Sequence, residues 1–180
     1  MLLAAFVAAF APATAAFAAR ADDVGRARAR GNRRPVAIAL ATALLREVRP
    51  AQIALVRVDG IGSHDVAGII VSGVKFHRPL DATGFAREIA GIVRAAFAAS
   101  PIEEVDVWAT VPLRLGEKAV VSGDKAESTT RVVYAATVRR HAPGGIAAAL
   151  RDAYWEPAWK AGLGASRRTQ SERVSEDRPR

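Results

Sequence analysis

A chain of 180 residues without a single cysteine is long enough to bury one ordinary core, but it forms no disulfide, so cystine scaffolds, thiol nucleophiles and thiolate metal sites are excluded. A formal charge of +8 favours acidic partners such as nucleic acid, anionic lipid or acidic wall polymers. Much of that excess sits in the Arg20–Arg34 stretch and at the C-terminal end, so the middle of the chain is close to balanced and charge by itself names no ligand.

The first nineteen residues carry no charged side chain, and Leu2 to Phe10 is apolar throughout. An apolar run of about 7 to 15 residues followed by small residues is the form of a secretory signal. Two small-x-small sites follow Pro12: Ala16-Phe17-Ala18 and Ala19-Arg20-Ala21. Residues 1–21 are therefore expected to be a signal peptide and the working protein periplasmic or extracellular. The basic n-region is missing, and the arginines trail the apolar run where they oppose translocation; a start assigned too late resolves the conflict. An uncleaved membrane anchor is the alternative, although such an anchor needs roughly 20 apolar residues and Pro12 interrupts this one.

Residues 22–34, with Arg26, Arg28 and Arg30 alternating between Gly25 and Gly31, lack apolar periodicity and read as an Arg-rich flexible linker. Order is expected from Pro35, which is preorganised for a first helical turn, with Val36, Leu40, Leu44 and Val48 as the apolar stripe. Gln52 to Val58 and Val66 to Phe76 read as a hairpin about the turn Asp59-Gly60-Ile61-Gly62. Leu80 to Ser100 is the clearest helix: Asp81 is its N-cap, Leu80 and Phe85 form a hydrophobic staple, and Phe85, Ile89, Ile92 and Ala96 share a stripe. Beyond Pro101, Val105, Val107, Ala109, Val111 and Leu113 alternate with Glu104, Asp106, Trp108 and Thr110, the signature of a half-buried strand. Arg131 to Arg139 is its expected antiparallel partner, with Val132, Tyr134, Ala136 and Val138 on one face. The connection from Arg114 to Thr130 is polar, with room for a small hairpin extension near Ala119 to Val121. Pro143-Gly144-Gly145 precedes a last helix, Ile146 to Trp155, and residues 161–180 are expected to form a disordered polar tail.

The order α-β-β-α-β-β-α argues for one α+β domain over residues 35–160, a small sandwich on one largely antiparallel four-stranded sheet. Ser63-His64-Asp65 holds the residue types of a hydrolase triad, but neighbours in sequence cannot build the relay. His64, His77 and His141 lack metal-motif spacing, and no Gly-rich phosphate loop lies between a strand and a helix. No metal, cofactor or nucleic-acid motif is implied.

Trp108 is the residue to weigh, because it stands opposite the valines of its strand, where a second layer covers it or it anchors a partner. The preferred expectation is an exported, noncatalytic envelope module that binds a protein partner or self-assembles through a sheet face or edge. A polyanion adaptor, docking an acidic polymer or an anionic membrane surface on Arg26, Arg28, Arg30, Arg33, Arg34, Arg139 and Arg140, is the second. A hydrolase or metal enzyme using the histidines is the third.

Overall fold

A computed structural model of the chain describes residues 11–46, 51–115, 118–119 and 130–164. Its elements run α1 (Ala11–Arg28), β1 (Ala29–Arg30), α2 (Arg34–Arg46), β2 (Ala51–Ile61), β3 (His64–Phe76), α3 (Ala82–Ala99), β4 (Glu104–Pro112), β5 (Arg114–Leu115), β6 (Lys118–Ala119), β7 (Thr130–Arg139), α4 (Gly145–Arg151), β8 (Tyr154–Trp155) and α5 (Pro157–Gly162). The apolar run Leu2–Phe10, Val48 and the tail from residue 165 lie outside the described residues, as does the part of the expected hairpin extension beyond Ala119.

The principal sheet has six strands in the order β1-β2-β3-β4-β7-β8 and is mixed, so the expected four-stranded, largely antiparallel sheet is corrected. The α+β character stands. The hairpins β2-β3 and β4-β7 are antiparallel, but β3 and β4 pair in parallel from Val66↔Glu104 to Ser72↔Thr110. Length is the reason: α3 has 18 residues, about 27 Å of helix, enough to carry the chain back to the end of the sheet from which β3 started. The remaining two strands are two-residue edges, β1 parallel to β2 and β8 antiparallel to β7, too short for any alternation to announce them.

Local chemistry explains α3. The Asp81 side chain accepts from the Gly84 amide at 2.6 Å, satisfying one orphan donor of the first turn. Leu80 and Phe85 are both buried, and Phe85, Ile89, Ile92, Val93 and Ala96 form the stripe that faces the sheet. At the other end Arg140 donates to the carbonyls of Phe97 (3.0 Å), Ser100 (2.6 Å) and Ile102 (2.8 Å). It also stands over the Phe97 ring, 4.8 Å from its centroid. A cation there complements the helix dipole and satisfies carbonyls that have no helical partner.

Two further expectations are corrected. Residues 22–30 are the end of α1 and strand β1, with Ala21 and Ala29 buried, so they are no flexible linker. Small residues permit it: α1 approaches α2 so closely at Gly25 that a Cβ there would stand 2.4 Å from Thr42 Oγ1. Asp22 pairs with Arg46 at 3.0 Å across the same helix pair. The expected last helix also divides, because Trp155 belongs to β8. Its ring packs 4.8 Å from that of Tyr134 and 5.7 Å from that of Phe85. Trp159 closes the cluster, 5.0 Å from Phe85, and its indole N–H donates to the Gly73 carbonyl at 3.0 Å.

The core lies between the sheet and α2, α3 and α4, which gather on one face. Val56, Val58, Ala67, Ile69, Val71, Val105, Val107 and Ala109 point into it. A register shift after Ala109 refines the β7 pattern: Tyr134 faces Ala109, but Thr110 pairs with Val132. Val133 therefore enters the core while Val132 turns to the opposite face and is exposed.

Candidate functional site

The second face of the sheet carries no helix among the described residues, and the strand registers bring its side chains into rows. One row is apolar across five strands. Leu55 pairs with Ile70, Ile70 with Trp108, Trp108 with Ala135, and Ala135 with Tyr154. Strands stand about 4.8 Å apart, so the row is roughly 19 Å long. Tyr154 is 53% exposed, and Ile61 and Val132, on the same face, are 56% and 43% exposed.

Trp108 is half-buried at the middle of this row. Its six-membered ring leans over Gly68, where a Cβ would meet Cζ3 at 2.9 Å. A larger residue there would have to displace the indole, which occupies the place of a side chain. The ring forms one wall of a shallow depression of about 270 Å³ whose other walls include Leu55, Arg57, Asp59, Val66 and Ile70.

Two polar rows flank the apolar one on a single side. Arg57, Gly68, Asp106 and Thr137 make the nearer row; Asp59, Val66, Glu104 and Arg139 make the farther. Two of their three carboxylates are paired with arginines within the face. Arg57 donates to Asp59, which also accepts from the Asn32 amide at 2.9 Å. The Arg57 hydrogen bond, reinforced by that amide, holds the Asp59 carboxyl below the usual carboxylate range. Thr137 donates to Asp106, and Arg139 to Glu104 at 2.7 Å. Such a surface can exclude water across the apolar row while its flank adds orientation.

No family model, curated protein or solved structure matches this chain.

Five of the arginines expected to bind polyanions have hydrogen-bond partners within the chain, and of these Arg33 and Arg139 remain 57% and 75% exposed. Arg28 donates to the Ile53 carbonyl, Arg30 to the Ala27 and Ala29 carbonyls at 2.8 Å, and Arg33 to Asp65 at 3.1 Å. Arg139 holds Glu104, and Arg140 caps α3. Arg26 and Arg34 are exposed, with no side-chain partner among the described residues. His64 and His141 line one open cleft of about 830 Å³ with Ser63, Glu103 and Glu104, whereas His77 lies beyond the opposite end of β3. No group of side chains among the described residues is placed to hold a metal ion. The Gly144-Gly145 pair opens a helix of only seven residues without a side-chain cap.

Sequence reasoning singled out Trp108 and missed Leu55, Ile70, Ala135 and Tyr154 around it. Alternation places a residue on a face, but only cross-strand register says which residues form a row.

Proposed function

We propose that this chain is an exported, noncatalytic binding module that docks a protein surface through the sheet face that carries no helix among the described residues. The observation that carries the reading is the apolar row from Leu55 to Tyr154, centred on Trp108. Soluble monomers seldom leave a contiguous apolar patch of this kind in water, and aromatic side chains are enriched where interfaces concentrate their energy. The face is favoured over the edge because both outer strands are two residues long, a device that blunts strand addition.

The docking half is tested by placing a photo-crosslinking residue at Ile61 or Val132 on the face, and at Arg94 on α3 as a control, in cells that make the protein. Adducts from the two face positions that vanish with Trp108→Arg are expected. Equal labelling at Arg94 overturns the reading.

Export rests on the apolar run Leu2–Phe10 and the small-x-small sites behind it. Among the described residues no helix is long and apolar enough to cross a membrane. Mass spectrometry of the fractionated protein is expected to find a shortened N-terminus in the envelope or medium; an intact Met1 in the cytosol overturns the export half.

A further inference from the structure

We infer that the surface docked on this face is a second copy of the same chain, related by a twofold axis that runs along the strands between β3 and β4. The inference rests on the docking reading above and adds the identity of the partner. Two sheets that pack face to face keep their strands within about 30° of each other and their backbones about 10 Å apart, so rows of one sheet meet rows of the other. An axis along the strands reverses the order of the strands and preserves the rows. Ile70 then meets Trp108 of the second copy, and Leu55 meets Ala135, which lays the apolar row on itself.

Shape and charge together favour this direction of the axis. The farther polar row reads Asp59, Val66, Glu104, Arg139 across the sheet. Reversed on itself, it sets Asp59 against the second copy's Arg139 twice over. An axis across the strands would instead stack Trp108 on Trp108 of the second copy and lay Asp59 and Glu104 toward the opposite flank, where Arg28 and Lys75 stand with Ser72, Thr110 and Pro112; only the axis along the strands sets Asp59 against Arg139. The face also carries its own anions, Asp59, Glu104 and Asp106, beside Arg57 and Arg139, so two copies of a chain of charge +8 approach there without the repulsion the rest of the surface would impose.

The area is adequate. Four long strands and the nine residues of β4 define a face of roughly 19 by 30 Å, on the order of 600 Å² in plan, and side-chain relief raises the accessible area toward the ~800 Å² per partner of a standard interface. Closing it converts two helix-backed sheets into one β-sandwich with helices outside.

Sedimentation of the full mature chain tests this. A concentration-dependent dimer is expected, weakened about tenfold or more by D59R or R139D alone, since each places like charges opposite each other. An equimolar mixture of D59R and R139D restores the dimer, because both contacts are again between opposite charges. The absence of native cysteine allows a second measurement that does not depend on those variants: L55C mixed with A135C is joined by a short bismaleimide faster than either protein alone. A wild-type chain that stays monomeric at every concentration, or cross-linking that is no faster in the mixture, overturns the second-copy inference. Face-specific adducts to another protein would then leave the docking reading standing, whereas loss of face-specific adducts removes both.

Discussion

The indole of Trp108 lies over Gly68, and a Cβ on that glycine would stand 2.9 Å from the ring. Position 68 thus decides where the central aromatic of the open face rests. Gly68→Val is expected to lift the ring and disturb the row at a cost to monomer stability of no more than about 1 kcal/mol, because the ring has room to swing outward. Denaturant unfolding gives the cost, and tryptophan quenching in W155F/W159F, where Trp108 is the sole indole left, reports its greater exposure.

Two tryptophans should respond in opposite ways to truncation. Trp108 stands half-buried on the face that carries no helix among the described residues, so Trp108→Ala is expected to change monomer stability by no more than about 1 kcal/mol while abolishing face-dependent association. Trp155 packs on Phe85, Tyr134 and Trp159, so Trp155→Ala should cost about 3 kcal/mol or more. Thermal melts beside association measurements separate the two roles; a large stability loss at Trp108 would assign it to packing.

Arg140 is expected to behave as a structural cap. Removing it leaves the carbonyls of Phe97, Ser100 and Ile102 without their charged donor, so Arg140→Ala should cost about 2 kcal/mol and Arg140→Lys somewhat less. Salt-dependent binding to an acidic polymer should change little in either folded variant. A melt unchanged by Arg140→Ala contradicts the cap.

The N-terminal arginine stretch should behave as part of the domain. A chain beginning at Pro35 loses β1 and the packing of Ala21, Gly25 and Ala29, an expected loss on the order of 3 kcal/mol. A chain beginning at Asp22 keeps β1 and the Asp22–Arg46 pair and should be intermediate. Equal stability of the chains beginning at Pro35 and Asp22 would return residues 22–34 to the status of a linker.

Glu156 ties α5 to the sheet and supplies a pH dependence. Its carboxylate accepts from the Trp159 amide at 2.8 Å and pairs with Arg131 at 3.3 Å, and the amide, first of all, holds its pKa below the usual glutamate value. A depressed carboxylate contributes stability that is present above the unfolded pKa of about 4.3 and lost as pH falls through the lower folded value. Tryptophan fluorescence should therefore shift below about pH 4, and Glu156→Gln should flatten that step.

Several elements were legible because short-range patterns determine them. The Asp81 cap, the Leu80–Phe85 staple and the stripe from Phe85 to Ala96 specify α3 within one stretch of chain. The alternation from Glu104 to Thr110 places Trp108 opposite the valines without reference to any other strand. Where pattern was absent, the reading failed: β1 and β8 are two residues each, and the arginines from Arg26 to Arg30 look solvated until Ala29 pairs with Val56.

Sequence by itself determined the apolar character of residues 2–10, the principal helices and strands and the outward position of Trp108, since these follow from composition and from periods of 3.6 and 2. Tertiary structure alone decided that β3 and β4 run parallel, that Arg140 serves α3, and that Leu55, Ile70, Trp108, Ala135 and Tyr154 form one row. Those facts depend on register and contact between separate segments, and the row they build runs from residue 55 to residue 154. Register is set by how the core closes, and no local pattern encodes it.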